Sequence, residues 1–284
     1  MPGGKSYLVG LIGAGIGASR TPAMHEREAD ALGLRYLYRR IDLEALGLGV
    51  EALPELLRAA ERMGFDGLNI THPCKQAVLP LLDELSDDAR VLGAVNTVLL
   101  RDGRRIGHNT DWSGFARAFE RALPEVAKTR AVQLGAGGAG AAVAHAALVL
   151  GIGELAIFDI DRAHAQALAR QLAGRFGEGR AVAPDDLAAT LAKADGLIHA
   201  TPTGMASHPG LPLDETLLRP QLWVAEIVYF PLETELLRRA RALGCRVMDG
   251  GGMAVYQAIE AFRLFTGIAP DADRMRRHFA APSP

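Results

Sequence analysis

The chain has 284 residues, of which 49% are hydrophobic and 23% are charged. These proportions are typical of globular proteins and exclude disordered and fibrous classes, and the length predicts two domains. The formal net charge of −2 comes from 31 basic and 33 acidic residues interspersed along the chain, which argues against a nucleic-acid partner. Because no run approaches the roughly 18 apolar residues of a membrane helix, we expect no membrane partner either.

The cysteines and histidines point away from metal and disulfide chemistry. Cys74 and Cys245 lie far apart and form no C-x-x-C pattern. The eight histidines include no pair at zinc-ligand spacing with a third ligand. We therefore expect no metal site and a reducing, cytoplasmic location.

Apolar runs of strand length alternate with segments of helical periodicity, which predicts an α/β fold with parallel sheets. Two helices are marked by apolar stripes, one with Leu53, Leu56, Leu57, Ala60 and Met63 before Gly64, the other with Leu236, Leu237, Ala240 and Leu243 before Gly244. Each helix is expected to bury its stripe and to stop at the glycine. The predicted strands are 7–12, 67–71, 131–134, 155–158, 196–200 and 223–228.

The domain boundaries follow from the order of these elements. Residues 101–105 read as a charged turn between two short strands, and a helix is predicted to begin near Trp112. A second series of strands then starts at Ala131, and a final helix, 253–266, is expected to pack back on the first domain. The first domain is therefore predicted to be discontinuous, 1–111 with 253–284, around a second domain at 112–252.

A glycine-rich segment follows the predicted strand 131–134 and opens an alanine-rich helix. Glycines in this position permit a tight turn, close approach of a pyrophosphate to the backbone, and close packing of helix on strand. Asp159 ends the next strand, 19 residues after Gly140, where a carboxylate accepts hydrogen bonds from the adenosine ribose. The pattern predicts a Rossmann-type dinucleotide site formed by Gly135, Ala136, Gly137, Gly138, Ala139, Gly140 and Asp159.

A second glycine cluster, 13–17, imitates this fingerprint near the start of the chain. The cluster runs directly into Ser19, Arg20, Thr21 and Pro22, and the sequence indicates no acidic strand end at the matching distance. We interpret it as a flexible turn that delivers two hydroxyl groups.

Asp159 also predicts which dinucleotide is used. A carboxylate beside the ribose would face the additional phosphate of NADP, and each unit-charge pair at about 4 Å costs roughly 1 to 4 kcal/mol. NAD is therefore the expected cofactor. Arg162 could offset part of this repulsion and leave weak NADP use.

Six motifs occur in one order along nearly the whole chain: SRTP at 19–22, NITHPCK at 69–75, GAVNT at 93–97, NTD at 109–111, ATPTGM at 200–205 and DGGGM at 249–253. In this series the chain resembles the shikimate dehydrogenase family. The resemblance is closest to the NAD-dependent quinate/shikimate branch, because Thr21 stands where shikimate-specific members usually carry serine and Asp159 where NADP-using members usually carry a basic motif.

The resemblance implies a substrate-binding and catalytic first domain and an NAD-binding second domain. It implies reversible oxidation of the C3 hydroxyl of shikimate or quinate. Lys75 and Asp111 would form the catalytic pair; Ser19 and Thr21, with Tyr229 nearby, would bind the substrate carboxylate; Thr71, Asn96, Asp111 and Gln257 would bind ring hydroxyls; Thr201, Val228, Gly250 and Met253 would line the nicotinamide side.

The chain departs from the family pattern at two positions. Cys74 replaces an aromatic residue before the lysine, which would loosen the packing behind Lys75, and His199 replaces an asparagine. Lys75 can accept the hydroxyl proton only as a neutral amine. Desolvation favours that neutral form whereas a neighbouring Asp111 favours the charged form, so both outcomes stay open.

Two rival functions are weighed against this interpretation. One is an NADP-dependent biosynthetic shikimate dehydrogenase, and the other is a non-catalytic sensor that binds NAD or quinate. An enzyme acting on an aminated analogue of shikimate is a minor alternative. The expected assembly is a monomer or a homodimer.

Overall fold

The computed structural model describes residues 5–280, and this part of the chain folds as two compact units. The first unit contains the chain up to Thr110 and again from Gln257, and the second contains Asp111–Tyr256. Within residues 5–280, no helix is both long and apolar enough to cross a membrane.

The first unit contains a six-stranded sheet with the order β2-β1-β3-β5-β6-β4. Strand β5 runs antiparallel to both neighbours, whereas the other neighbouring strands are parallel. The strands are β1 Ser6–Gly13, β2 Arg35–Asp42, β3 Gly67–Ile70, β4 Glu84–Leu85, β5 Thr97–Arg101 and β6 Arg104–His108.

The helices of the first unit are short. They are α1 Thr21–Ala31, α2 Leu43–Leu46, α3 Leu53–Arg62, α4 Cys74–Ala77, α5 Asp87–Leu92 and α12 Ala272–Ala280, with 3-10 turns at Val50–Ala52 and Leu79–Leu81. Helix α3 buries Leu53, Leu57 and Ala60 and ends before Gly64, as predicted. Met63 is 62% exposed, contrary to prediction, because it is the C-cap residue beyond the last buried turn.

The interior of the first unit holds an unusual buried histidine. His25 of α1 is fully buried, and its ring lies 5.1 Å from the Tyr38 ring and 5.6 Å from the Phe262 ring. Burial lowers the pKa of His25 to about 3, because the apolar surroundings disfavour the charged imidazolium. His25 is therefore a neutral core residue.

The second unit contains a six-stranded sheet with the order β12-β11-β10-β7-β8-β9. All neighbouring strands are parallel. This is the strand order of a dinucleotide-binding Rossmann sheet, in which the order of the strands along the chain reverses between β7 and β10. The strands are β7 Arg130–Leu134, β8 Glu154–Phe158, β9 Ala181–Val182, β10 Gly196–His199, β11 Trp223–Glu226 and β12 Arg246–Met248.

One helix of the second unit precedes β7 and the others follow or connect the strands. They are α6 Asp111–Ala122, α7 Gly138–Val149, α8 Arg162–Phe176, α9 Leu187–Leu191 and α10 Glu235–Ala242, with a 3-10 turn at Glu215–Leu217. Helix α10 buries Leu236, Leu237 and Ala240 as predicted, whereas its C-cap residue Leu243 is 42% exposed. The last helix of the unit, α11 Gly250–Thr266, continues past Tyr256 into the first unit.

Candidate functional site

Predicted substrate-binding residues of the first unit gather at one edge of its sheet. Thr71 directly follows β3, and Asn96 directly precedes the antiparallel strand β5, so both lie at the carboxyl edge of the parallel strands. The amide of Ile70 donates to the Asn96 carbonyl over 2.8 Å. The turn after β1 reaches the same edge, because the amide of Ala14 donates to the His72 carbonyl over 3.0 Å.

The side chain of Asn96 is 4% exposed and held in one orientation by hydrogen bonds. Its Oδ1 accepts from the amide of Thr110 over 2.8 Å, and its Nδ2 donates to the Thr110 hydroxyl over 2.9 Å. Asn69 Nδ2 donates to the Asn96 carbonyl over 3.3 Å, and Tyr38 donates its hydroxyl hydrogen to Asn69 Oδ1 over 2.6 Å. Burial raises the pKa of Tyr38, so its hydroxyl remains a donor.

Lys75 lies on the short helix α4, next to the core of the first unit. Its carbonyl accepts from the amide of Val95 over 2.9 Å, which ties α4 to the segment before Asn96. Cys74 is fully buried in an apolar cluster with Ile70 and Val78, so the residue before Lys75 is part of the core of the first unit. Burial also raises the pKa of the Cys74 thiol.

The turn before Ser19 and Thr21 is anchored, where the sequence predicts a flexible segment. The amides of Gly15 and Ile16 donate to the two carboxylate oxygens of Asp42 over 3.0 and 2.9 Å. Asp42 ends β2, 25 residues after Gly17, so an acidic strand end does serve this glycine cluster, but at a longer distance than the 19 residues between Gly140 and Asp159. The amide of Thr21 lies 3.4 Å from the Ser19 hydroxyl oxygen and donates to it.

Asp111 and Gln257 lie where the chain passes between the units. Asp111 is the first residue of α6 and is 7% exposed. Gln257 lies within α11, at the point where the chain returns to the first unit. Lys75 and Asp111 thus fall in different units, and their catalytic pairing remains a prediction.

The glycine-rich turn of the second unit uses its glycines for two different purposes. Gly135 has φ +101°, and a Cβ built on it would lie 2.4 Å from the Ala200 carbonyl oxygen. A Cβ on Gly140 would lie 2.4 Å from the Gly135 carbonyl oxygen, so both positions require glycine for close packing. A Cβ built on Gly137 or Gly138 would meet no atom within 4 Å, so there is open space beside the backbone at the start of α7.

Gln133 fixes the shape of this turn, although sequence reasoning did not single it out. Its buried amide Nε2 donates to the carbonyls of Gly135 over 2.8 Å and of Gly140 over 2.9 Å. One side chain thus bridges both ends of the turn. The signal in the sequence was a polar residue inside an otherwise apolar strand, which is informative because buried amides are normally hydrogen-bonded.

Asp159 lies at the adenosine-ribose end expected of a Rossmann site. Its Oδ2 accepts from the amide of Ala136 over 2.7 Å, and its Oδ1 accepts from the amide of Asp161 over 2.9 Å. The carboxylate is therefore attached directly to the glycine-rich turn. Arg162, the second residue considered for cofactor choice, is exposed and forms an ion pair with Asp185.

The remaining predicted cofactor residues lie at or just beyond the carboxyl ends of β10, β11 and β12. Thr201 follows β10, and Val228 follows β11 with 6% of its surface exposed. A Cβ on Gly250 would lie 2.4 Å from the Val228 carbonyl oxygen, so these two segments touch. Met253 is 8% exposed, whereas Tyr229, predicted to bind substrate, belongs to the second unit and is 51% exposed.

Metal ligation is not a feature of this region. Among the residues that the structure describes, no group of three or more histidine, cysteine, aspartate or glutamate side chains could hold a metal ion. Both cysteines are free and buried.

A parallel six-stranded sheet, with a glycine-rich turn where its strand order reverses and an acidic residue directly after the next strand, defines a Rossmann-type dinucleotide-binding unit. Two family descriptions match the chain: the shikimate dehydrogenase substrate binding domain at residues 11–98, and the shikimate 5'-dehydrogenase C-terminal domain at residues 250–278. The chain belongs to the shikimate dehydrogenase family.

Relatives named for either cofactor cover almost the whole chain. A shikimate dehydrogenase (NADP(+)) from Streptomyces avermitilis is 63% identical over 95% of this chain and 94% of its own length. A quinate/shikimate dehydrogenase (NAD(+)) from Corynebacterium efficiens is 52% identical over 96% of this chain and 98% of its own. The quinate dehydrogenase structure from Corynebacterium glutamicum in complex with NAD has a TM-score of 0.92 at 51% identity, covering 96% and 98% of the two chains.

Proposed function

We propose that this chain is an NAD-dependent quinate/shikimate dehydrogenase that reversibly oxidises the C3 hydroxyl of shikimate or quinate to the 3-dehydro ketone. The observation that carries the cofactor assignment is Asp159, whose carboxylate is hydrogen-bonded to the glycine-rich turn itself. The substrate assignment rests on family membership, together with the hydroxyl and amide side chains at the carboxyl edge of the first sheet.

The second unit fits a dinucleotide by its shape and its polarity. The backbone at Gly137 and Gly138 is open, and the N-terminus of the twelve-residue helix α7 would face the pyrophosphate there. Asp159 would accept the ribose hydroxyls, and Thr201, Val228, Gly250 and Met253 would line the nicotinamide. Bound NAD would supply the hydride acceptor for alcohol oxidation.

Polar side chains would hold the substrate. Ser19 and Thr21 would bind the substrate carboxylate, together with Tyr229. The ring hydroxyls would be bound by Thr71, Asn96, Asp111 and Gln257. Because Asn96 is buried and already oriented by its neighbours, it offers a fixed partner that strongly disfavours analogues lacking a ring hydroxyl.

Lys75 would accept the proton of the hydroxyl group that is oxidised, and Asp111 would orient this amine. Lysine performs this step as a neutral base and is recharged by the transferred proton, which later passes to solvent. Burial of Cys74 in the apolar core would fix the position of α4 and so of the lysine backbone. This role makes Lys75 a catalytic residue and Asp111 its partner.

An NADP-dependent shikimate dehydrogenase is the second candidate function. It is favoured by the 63% identity to the relative from Streptomyces avermitilis and by the exposed guanidinium of Arg162. Against it, Asp159 would face the additional phosphate of NADP at a cost of roughly 1 to 4 kcal/mol for each unit-charge pair. Weak NADP use is compatible with the proposal.

The first unit is the proposed substrate-binding and catalytic domain, and the second is the proposed NAD-binding domain. We further infer a cytoplasmic location, because both cysteines are free. The proposed assembly is a monomer or a homodimer.

A steady-state panel of two substrates against two cofactors tests the function. We expect turnover of both shikimate and quinate, with kcat/KM for NAD about a hundredfold above that for NADP, which corresponds to roughly 3 kcal/mol. Equal efficiency with both cofactors would overturn the NAD assignment. Binding of NAD and quinate without turnover would show that the protein is a non-catalytic sensor and not an enzyme.

A further inference from the structure

A buried ionisable pair joins two strands of the second unit at their carboxyl ends. His199 is the last residue of β10 and Glu226 is the last residue of β11, and the strand register places them side by side. Both side chains are fully buried, and His199 Nδ1 lies 2.9 and 3.0 Å from the two carboxylate oxygens. Buried ionisable groups persist only when hydrogen-bonded partners compensate for lost water.

Glu226 accepts hydrogen bonds on both of its oxygens. The amide of Val228 donates to Oε1 over 2.9 Å, and the Thr234 hydroxyl donates to Oε2 over 3.0 Å. Thr234 in turn accepts from the amide of Leu237 as the N-cap of α10. Both carboxylate oxygens of Glu226 act as acceptors, so the ring nitrogen that faces them must donate. His199 therefore carries a hydrogen on Nδ1.

The other ring nitrogen of His199 reaches Thr201. His199 Nε2 lies 2.5 Å from Thr201 Oγ1, and the amide of Thr203 donates to the same oxygen over 3.3 Å. The Thr201 methyl Cγ2 lies 3.1 Å from the position that a Cβ would take on Gly135. The hydroxyl is thus fixed by the imidazole while the methyl faces the first glycine of the dinucleotide turn.

We propose that Glu226 and His199 are positioning residues for the nicotinamide half of the bound dinucleotide, acting through Thr201 and Val228. The inference rests on the proposed function, which places those two residues on the nicotinamide side. The geometry that supports it is a continuous series of hydrogen bonds from the segment after β11, through a rigid ring, to the segment after β10.

An imidazole suits this task better than a shorter amide. Its two nitrogens lie on opposite sides of one rigid ring, so a single side chain can hold a carboxylate and a hydroxyl together. The first glycine of the turn, the segment after β10 and the segment after β11 meet where ligands bind in open parallel sheets. Apolar side chains of similar size would often stabilise a sheet equally well, so a polar series here indicates positioning.

Two substitutions at Thr201 distinguish the effect of its hydroxyl group from the effect of its branched shape. Thr201→Val keeps the branched shape and loses the hydroxyl, whereas Thr201→Ser keeps the hydroxyl. We expect kcat for shikimate oxidation to fall about tenfold in Thr201→Val and to be largely restored in Thr201→Ser. The matched control is Thr190→Val, which removes a hydroxyl bonded to the Asp186 carbonyl in the same unit and should leave kcat unchanged.

The decisive variant is His199→Asn, combined with Thr201→Val in a double-mutant cycle. If His199 acts through Thr201, each single variant should lower kcat by a similar factor, and the double variant should be no worse than either. The dissociation constant of ADP-ribose, which lacks the nicotinamide, should stay within twofold because Asp159 and the glycine turn bind that part. The fluorescence of bound NADH should change in both single variants.

Each outcome distinguishes this inference from the proposed function. Absence of turnover by the unsubstituted enzyme would refute the proposed function itself and the positioning role with it. An active enzyme whose kcat is unchanged in His199→Asn would overturn the positioning role alone. A parallel loss of thermal stability, ADP-ribose binding and kcat would also overturn it, because the pair would then be structural.

Discussion

Two glycine-rich turns in this molecule resemble each other in sequence and differ in use. In the first unit, a Cβ on Gly13 would lie 2.2 Å from the Thr71 side chain, and α1 begins only at Thr21. In the second unit, Gly137 and Gly138 have nothing within 4 Å and lie directly at the start of α7. The second turn therefore lies directly at the N-terminus of a twelve-residue helix, where anions bind, whereas Gly17 of the first turn, which is also clear of neighbours, lies four residues before α1.

The acidic residues that follow the two turns differ in the number of backbone amides they accept. The Asp42 carboxylate accepts hydrogen bonds from the amides of Gly15, Ile16 and Glu44, so it stabilises both the turn and the start of α2. Asp159 accepts one amide of its turn on Oδ2 and the amide of Asp161 on Oδ1. Asp42 thus accepts three backbone amides of its own unit, whereas Asp159, which we propose to bind the adenosine ribose, accepts two.

The largest expected difference between the turns is in NAD binding. Gly137→Asp introduces a side chain that the fold has room for, and aspartate is a favoured N-cap residue for a helix such as α7. Its carboxylate would repel the pyrophosphate, so we expect the dissociation constant of NAD to rise about a hundredfold, or roughly 3 kcal/mol, with no loss of thermal stability. Titration calorimetry and thermal unfolding measure the two quantities.

The matched variant is Gly17→Asp in the first turn, where a side chain also meets nothing within 4 Å. Its affinity for NAD should equal that of the unsubstituted protein. If both variants weakened NAD binding alike, the distinction between the two turns would be lost.

A smaller contrast is expected between the two acids. Asp159→Ala removes the carboxylate proposed to favour NAD, and the ratio of kcat/KM for NADP to that for NAD should rise by about tenfold or more, or at least ~1.4 kcal/mol. Asp42→Ala should leave this ratio unchanged and lower stability by roughly 1 to 3 kcal/mol, because three amides lose their acceptor.

Steady-state kinetics with both cofactors and chemical denaturation measure the two effects. A cofactor ratio that shifts in Asp42→Ala, or stays constant in Asp159→Ala, would remove the basis for assigning only the second acid to cofactor choice.

Local signals in the sequence predicted most of the second unit. The strands 131–134 and 155–158 correspond to β7 and β8, and the glycine fingerprint lies between β7 and α7 as expected. The whole signal falls within about 30 residues, so adjacent residues determine it. The helix ends at Gly64 and Gly244 were also predictable from local sequence, because a glycine commonly follows the last turn of a helix in the left-handed conformation. Both glycines have φ above +70°.

Features that depend on strand pairing were not predictable. Strand β2 lies at the edge of its sheet and exposes arginines and Leu37, so its sequence lacks an apolar run. Its end at Asp42 and the role of that carboxylate were therefore missed. The pairing of His199 with Glu226, which are 27 residues apart, follows from the register of β10 with β11 and not from any local motif.

The catalytic role of Lys75 is the central claim, and the steady-state kinetics of Lys75→Ala with shikimate and NAD test it most directly. Loss of the proton acceptor should lower kcat by about a thousandfold, within the 10² to 10⁴ range of general acid–base catalysis, while KM for shikimate changes only a few-fold. A kcat equal to that of the unsubstituted enzyme would contradict the account.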